Sequence, residues 1–314
     1  MLKLLGRRLL ATVPLLFLVS LVVFALVHAL PGDPAVLFLG EEADPETLAR
    51  FRTRLGFDRP LVVQYGEWLG RALRGDLGRS LRTNQPVTEA ILQRLPVTLE
   101  LMAAALAVSL AIALPMGVVS AVRRNSGFDL ASTLFALVGF AMPGFWLGII
   151  LIYVFALLLR WLPPSGWVPL TASPGDNLLA LILPAFTLGT ALAALVARQL
   201  RSSMLEVLRQ DYVRTAQAKG LGQGQVVGKH ALKNALISVV TVVGLQLGGL
   251  LGNTIITETL FALPGVGRLM IDSIFSRDFF VVQGVILFLA GGYVLSNLLV
   301  DILYSYLDPR IRVH

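Results

Sequence analysis

A glycine-rich, basic segment, AKGLGQGQVVGKHALKNA at residues 218–235, has the composition of a phosphate-binding loop. Nucleotide-binding patterns, however, require a fixed spacing. Aligning the Gly-Lys pair with a Walker loop places Gln223 where the first glycine belongs and His230 where the magnesium-binding hydroxyl belongs. The dinucleotide pattern GxGxxG also fails, because its third glycine falls on Gln225 or Val227. We therefore predict no nucleotide site here and expect the segment to contact another protein or the membrane surface.

Other residue types that could do chemistry are too few and too dispersed. The chain has no cysteine, and its three histidines, His28, His230 and His314, are far apart in the sequence. Neither the metalloprotease pattern HExxH nor the nucleophile pattern GxSxG occurs. We predict no catalytic residue, no metal site and no cofactor, so the chain is not expected to be an enzyme.

Hydropathy indicates an integral membrane protein. Of the 314 residues, 56% are hydrophobic and only 14% are charged, whereas soluble domains carry about 25% charged residues. A bilayer core about 30 Å thick requires about 20 apolar residues in a helix. Six charge-free stretches approach or exceed this length, which predicts an all-α protein with six transmembrane helices. They are Leu9–Val27, Leu101–Val122, Leu130–Leu159, Asn177–Ala197, Asn234–Thr257 and Phe279–Val300.

The first and third stretches are unusual. The third is long enough to be tilted or broken, and Pro143-Gly144 inside it allows a kink. The first follows three basic residues, as a signal peptide does, but its apolar run exceeds the roughly 7–15 residues of such segments. We therefore predict that residues 1–30 form an uncleaved first transmembrane helix.

Charge predicts the orientation of the chain. Residues 198–233, between the fourth and fifth stretches, carry seven basic and two acidic residues, whereas residues 31–95 carry nine of each. Because basic residues concentrate in cytoplasmic loops, residues 198–233 and both termini are expected on the cytoplasmic side of the membrane.

The long outer loop, residues 31–95, is expected to be helical. Asp44-Pro45-Glu46 is a helix-start signal, and Gly56 is a plausible helix end. A second, amphipathic helix is indicated by apolar residues at helical spacing, which are Leu61, Tyr65, Trp68, Leu69 and Ala72. We interpret this loop as a cap over the outer ends of the spans, and a docking surface for an extracytoplasmic partner is the alternative.

The inner segment is expected to contain one amphipathic helix over Ser203–Lys219. Ser203 and Glu206 have the spacing of a capping box, and Gly220 is placed to end the helix. Its apolar face is predicted to consist of Leu205, Leu208, Tyr212 and Ala216.

This inner segment, DYVRTAQAKGLGQGQVVGKHALKNALISVVT at 211–241, resembles the cytoplasmic loop of ABC importer permeases. The similarity is to the dipeptide/oligopeptide/nickel branch, first-permease type. Further matching motifs occur in the expected order: VHALPGDPA (27–35), LGFDRPLVVQYGEWL (55–69), GDLGRSL (75–81), RLPVTLEL (94–101), MPGFWLG (142–148), ILPAFTLG (182–189), LFALPGVGRLMIDSIFSRDFFVVQG (260–284) and NLLVDILYSYLDPRIR (297–312). One departure is that Arg214-Thr215-Ala216 precedes Gly220 where the general importer loop has Glu-Ala-Ala, so a contact made by that glutamate is not carried over.

The resemblance implies a type I importer permease that crosses a bacterial inner membrane several times. It implies pairing with a second homologous permease (a heterodimer), two cytoplasmic ATPase subunits and an extracytoplasmic substrate-binding protein. The chain would divide into helix 1 (1–30), an outer loop (31–95) and a permease core (96–314). The inner helix would couple to an ATPase; a helix lying on anionic lipid is the alternative. The implied coupling residues are Ser203, Leu205, Leu208, Tyr212, Arg214, Thr215, Ala216, Ala218, Lys219 and Gly220.

The fifth stretch combines small and polar residues. Gly244, Gly248 and Gly252 recur every fourth residue, which allows close helix packing against another span or against the partner permease. Polar groups are costly in hydrocarbon, so those on or near this stretch are expected to line the pathway or to bond between helices. They are Gln246, Asn253, Thr254, Thr257 and Glu258.

The substrate is less well determined than the class of protein. The resemblance implies di- or oligopeptides, with glutathione, nickel or a metal chelate as alternatives within the family. An ion-coupled secondary transporter is the alternative of another class, but it requires buried acids at mid-membrane. Dependence of transport on ATP would separate the two classes.

Overall fold

The described residues fold mainly into α-helices, joined by turns and by two longer loops over residues 73–86 and 159–173. The computed structural model describes residues 2–29, 36 and 44–307. Residues 1 and 30 of the predicted first helix, residues 31–35 and 37–43 of the predicted outer loop, and residues 308–314 with His314 lie outside them. Among the described residues the only strand-like pairing is one bridge between Arg79 and Pro86. The helices are α1 (Leu2–Ala29), α2 (Pro45–Leu55), α3 (Leu61–Ala72), α4 (Val87–Val122), α5 (Gly127–Ala141), α6 (Gly144–Leu151), α7 (Pro174–Val207), α8 (Asp211–Ala218), α9 (Gln223–Leu260), α10 (Val266–Phe275) and α11 (Phe279–Leu307). The predicted all-α fold is confirmed.

Four of these helices are long and apolar enough to cross a membrane. Within the described part of the chain they are α4, α7, α9 and the segment Phe279–Val300 of α11. The helices α5 and α6 would make a fifth if the bent pair counts as one span. The described apolar part of α1, Thr12–Ala25, is shorter than a typical span. The count of six spans therefore stays a prediction.

The third apolar stretch is broken where the sequence predicted a kink. The helix α5 ends at Ala141, and Met142 is extended with φ −80° and ψ 125°. The ring of Pro143 disfavours helical backbone at the residue before it, which explains the extended Met142. The two helical segments meet at 106°, and α6 continues as a π-helical turn over Ile152–Leu158.

One compact unit comprises residues 97–264 and 295–314, of which the structure describes those up to 307. Its core is built around α7, whose apolar segment is 67% buried. Small residues allow neighbouring helices to approach closely. A Cβ on Gly189 of α7 would lie 2.6 Å from the carbonyl oxygen of Ala105, so only glycine fits at that crossing.

The second unit comprises residues 2–96 and 265–294. Its helix α2 starts and ends as predicted: Asp44 accepts a hydrogen bond from the Thr47 N–H (3.3 Å), and Gly56 has φ +74°. In α3, Trp68 is buried against Phe24 of α1, whereas Leu61 at the start of the predicted stripe is exposed. The apolar core of this unit contains Val87, Ile91, Val266, Val281 and Val285.

Candidate functional site

A two-turn helix, α8, lies between α7 and α9 in the basic segment. It begins after Gln210, whose backbone is extended, and Asp211 in its first turn complements the positive end of the helix dipole. At its other end, Gly220 has φ +79°. The Gly220 N–H donates to the Gln217 carbonyl (2.9 Å) and the Leu221 N–H to the Ala216 carbonyl (3.4 Å), which is the Schellman arrangement. The predicted helix end at Gly220 is confirmed.

The predicted start of this helix at Ser203 is wrong. The helix α7 extends to Val207, so Ser203 is a buried residue inside it, and a turn separates α7 from α8. The helical periodicity does not carry across that turn. Consequently Leu205 and Leu208 pack against the core of the first unit and do not share an outward face with Tyr212.

The buried face of α8 is formed by Val213 and Ala216. Val213 is 0% exposed and Ala216 6%, and both pack with Val226 near the start of α9. Ala216, predicted to lie on the docking face, is thus turned inward. Leu208 and Val207 complete this small cluster from the α7 side. The packing fixes α8 against the first residues of α9.

The remaining predicted coupling residues are exposed together, and we call them the exposed face of α8. They are Tyr212, Arg214, Thr215, Ala218 and Lys219. The Tyr212 hydroxyl accepts a hydrogen bond from Asn234 Nδ2 of α9 (3.0 Å), which restricts the ring although 44% of the residue is exposed. The weak ion pair of Arg214 with Asp211 (3.8 Å) is open to solvent. The described residues of the chain do not bury any of these five side chains in the way that they bury Val213.

An ion pair that was not predicted from the sequence lies near the C-terminal end of α7, the end that precedes α8. Asp129 at the start of α5 accepts from Arg201 Nε (2.6 Å) and Nη2 (2.8 Å), a two-pronged contact. The Ser120 hydroxyl of α4 also donates to this carboxylate, as does the Asn125 N–H (3.0 Å). One carboxylate therefore joins the ends of α4, α5 and α7. The sequence signal was an acid three residues after the helix cap Ser126.

The predicted pathway residues fall into two groups. Thr254, Thr257 and Glu258 are buried, and Glu258 accepts a hydrogen bond from the Thr98 hydroxyl of α4 (2.7 Å). Thr254 and Thr257 instead donate to carbonyls of their own helix, those of Leu251 (2.8 Å) and Asn253 (3.4 Å), whereas the bond of Glu258 to Thr98 joins α9 to α4. Gln246 is half-buried and Asn253 is exposed, so only these two are open at the surface of this chain.

The three glycines that recur every fourth residue in α9 lie in different environments. A Cβ on Gly244 would lie 2.6 Å from Val300 Cγ1 of α11, so Gly244 packs against a span of the same chain. Gly248 is buried. Gly252, in contrast, is exposed, with no described atom within 4 Å of an added Cβ. It shares an open face with Leu245, Asn253 and Ile256 at helical spacing.

The described residues contain no group of three or more His, Cys, Asp or Glu side chains placed to hold a metal ion. The segment that resembled a phosphate loop is helical from Gln223 onward and belongs to α9. Its polar side chains, Lys229 and Lys233 among them, lie along that helix.

Two family models cover almost the whole chain. A model described as binding-protein-dependent transport system inner membrane component matches residues 113–313. A model for the N-terminal part of such membrane components matches residues 1–102. The motif-based resemblance is therefore confirmed.

Individual relatives are similar along their full length. A putative peptide transport system permease protein of Brucella abortus is 46% identical over 306 residues, with 98% of each chain covered. The dipeptide transport system permease protein DppB of Alkalihalophilus pseudofirmus is 47% identical, also with 98% of each chain covered. The glutathione transport system permease protein GsiC of Escherichia coli is 44% identical, covering 98% of this chain and 97% of its own.

A solved structure shares the fold. It is an amino acid ABC transporter crystallised with histidines, one chain of which superposes with a TM-score of 0.51 at 16% identity. The superposition covers 71% of this chain and 94% of that one. With the two family models and the full-length relatives, these findings establish that the chain belongs to the family of inner membrane components of binding-protein-dependent transport systems.

Proposed function

We propose that the chain is a permease subunit of an ATP-driven importer of di- and oligopeptides. It forms the inner-membrane pathway together with a second, homologous permease. The observation that carries this proposal is similarity along the whole chain to permeases named for peptide and dipeptide transport. In this assembly two cytoplasmic ATPase subunits hydrolyse ATP, and an extracytoplasmic binding protein delivers the peptide.

The exposed face of α8 is the proposed docking surface for one ATPase subunit. Tyr212 offers a half-exposed aromatic ring whose position is restricted by Asn234, and restricted aromatic side chains are favourable interface anchors. Arg214 and Lys219 add positive charge beside it, which favours an acidic partner surface. The contact that a glutamate makes in the general importer loop is absent here, so this arginine-containing face is expected to bind through other groups.

The packing of α8 supports a coupling role. Val213 and Ala216 hold the helix on Val226, and the hydrogen bond between Tyr212 and Asn234 adds a second connection to α9. The helix α9 has 38 residues and continues from this point into a membrane span. Motion of a docked ATPase is therefore expected to reach the membrane helices through α9.

Glutathione is the second candidate substrate, because a relative 44% identical over the whole chain is named a glutathione permease. Nickel or a metal chelate remains the third within this family. To test them, the chain is reconstituted into proteoliposomes with its partner permease, both ATPases and the binding protein. Uptake of a labelled dipeptide is expected to require ATP and the binding protein, and to be blocked by excess unlabelled dipeptide but not by glutathione or nickel. Uptake without the ATPases that collapses with an ionophore would instead identify an ion-coupled transporter.

The docking surface is tested with Tyr212→Ala and the matched control Tyr153→Ala, which removes an exposed tyrosine from the π-helical turn. Loss of an interface anchor costs about 2 kcal/mol, or roughly 30-fold in affinity. Tyr212→Ala is expected to weaken ATPase binding to that extent and to abolish uptake while the chain still inserts. Equal ATPase binding by both variants would contradict the assignment.

The orientation can be tested directly because the chain has no cysteine. Lys219→Cys and Arg74→Cys each place one thiol at an exposed position. In intact spheroplasts a membrane-impermeant maleimide is expected to label the thiol of Arg74→Cys and not the thiol of Lys219→Cys. The reverse labelling would place residues 198–233 outside and refute the proposed coupling.

A further inference from the structure

A groove between α5 and α7, distinct from the docking surface, combines two arginines with small and apolar residues. It has a volume of about 220 Å³. It is lined by Ser132, Thr133, Ala136 and Leu137 on α5 and by Arg198 and Arg201 on α7. We call it the α5–α7 groove. None of these residues lies on the exposed face of α8.

The charge around the groove is strongly positive. Arg201 uses Nε and Nη2 on Asp129, whereas Arg198 is exposed at the groove. Arg123 and Arg124 directly precede Asn125, whose N–H binds the same aspartate. The ion pair with Asp129 thus neutralises one of four neighbouring arginines. An anion in the groove would be attracted by Arg198, the exposed arginine of its lining, while Arg123 and Arg124 add positive charge just after the end of α4.

The groove has a polar end and an apolar end. The helix α7 begins at Pro174, so Arg198 lies about 36 Å further along its axis at 1.5 Å per residue. This distance exceeds the roughly 30 Å of hydrocarbon and places Arg198 at the level of the lipid headgroups. The helix α5 starts near Asp129, so Ala136 and Leu137 lie one turn deeper in the membrane than Ser132 and Thr133. A phospholipid has the same arrangement, because its charged phosphate lies at the membrane surface and its apolar acyl chains lie deeper.

We propose that the α5–α7 groove binds an anionic phospholipid of the cytoplasmic leaflet. The phosphate contacts Arg198 at the polar end of the groove, which also contains Ser132. The first part of one acyl chain lies against Ala136 and Leu137 at the apolar end. Basic pockets between transmembrane helices on the cytoplasmic side are suited to such headgroups. The inference rests on the orientation proposed above, but not on the identity of the transported substrate.

The test measures lipid retained by the purified, intact transporter in neutral detergent, by native mass spectrometry, after addition of phosphatidylglycerol or phosphatidylcholine. Arg198→Gln is expected to lower the retained phosphatidylglycerol about fivefold, which is the effect of one basic residue near a charged headgroup. The matched control Arg209→Gln removes an exposed arginine outside the groove and is expected to leave retention unchanged. Ala136→Trp fills the deeper end without changing charge and is also expected to lower retention.

Three results of the retention assay would overturn the proposal, and a fourth concerns the subunit composition of the purified complex. The three are equal retention of phosphatidylcholine, an equal loss in Arg209→Gln, or displacement of the lipid by inorganic phosphate at comparable concentration, which would make the groove a free-phosphate site. Loss of the second permease from the purified Arg198→Gln complex would mean that the groove is a subunit contact instead. Lipid retention is measured without transport. A negative result for lipid binding therefore leaves the proposed function to be judged separately, by ATP-dependent peptide uptake.

Discussion

Replacing Asp129 by Asn tests whether the buried ion pair fixes the end of α7. The side chain of Asp129 is 7% exposed and that of Arg201 is 29% exposed. The carboxylate accepts two hydrogen bonds from the guanidinium, one from Ser120 and one from Asn125. Asparagine has nearly the same shape but no charge, so the variant removes the ionic interaction while it leaves the packing in place.

The expected magnitude follows from these exposures. Breaking a fully buried pair by removing one partner costs about 3–5 kcal/mol, because the other charge is left uncompensated. Arg201 is partly exposed, so water can solvate part of its charge once Asp129 is neutral. We therefore expect the free energy of unfolding to fall by about 2–3 kcal/mol, at or just below the lower end of that range.

The assay is unfolding of the purified chain in mixed micelles by titration with SDS, with helix content followed by circular dichroism. Asp272→Asn is the matched control, because Asp272 pairs with Arg268 at 3.7 Å on an exposed helix surface and such pairs contribute about 0–1 kcal/mol. Combining Asp129→Asn with Arg201→Gln should cost less than the sum of the single variants. Additive single effects, or a control as costly as Asp129→Asn, would refute the reasoning.

Three further predictions concern single positions. Gly244→Ala places a methyl group 2.6 Å from Val300 and should destabilise the chain by about 1–3 kcal/mol in the same SDS titration. The control Gly252→Ala, on the open face of α9, should leave stability unchanged. Equal effects of the two variants would contradict the packing of Gly244 against α11. Gly220→Ala requires an alanine to adopt φ +79° and should cost about 1 kcal/mol. Hydrogen exchange at the last turn of α8 should therefore become faster. Unchanged exchange would count against the Schellman arrangement. Glu258→Ala removes the acceptor of a buried hydrogen bond and should cost about 1–3 kcal/mol; an unchanged unfolding midpoint would show that the bond contributes little.

Features encoded by a few neighbouring residues were predictable from the sequence. The start of α2 at Asp44 and its end at Gly56 follow from a capping side chain and a residue that tolerates positive φ. The break before Pro143 follows from a steric rule between adjacent residues. The end of α8 at Gly220 has the same local origin. The family, too, could be recognised from short motifs in a fixed order.

Features that depend on distant residues were not predictable in the same way. A capping box at Ser203 was plausible locally, but the packing of α7 against the core buries Ser203 and extends the helix to Val207. The ion pair of Asp129 with Arg201 joins residues 72 positions apart, and no local pattern specifies such a pairing. Likewise Glu258 was recognisable as a costly charge in an apolar segment, but its contact with Thr98 appears only in the folded chain.

The structure also determines which variants can test coupling. Leu208 belongs to the core cluster that receives α8, so an acidic residue there would disturb folding and docking together. Tyr212 separates the two effects better, because it is 44% exposed, lies outside the core cluster and is connected to α9 by the hydrogen bond of its hydroxyl. If α8 docks to the ATPase, a displacement of α8 acts first on Val226 and Asn234 of α9, since the end of α7 is held by Arg201 on Asp129. Weakening that ion pair should therefore impair transport more than ATPase docking, whereas Tyr212→Ala should impair both.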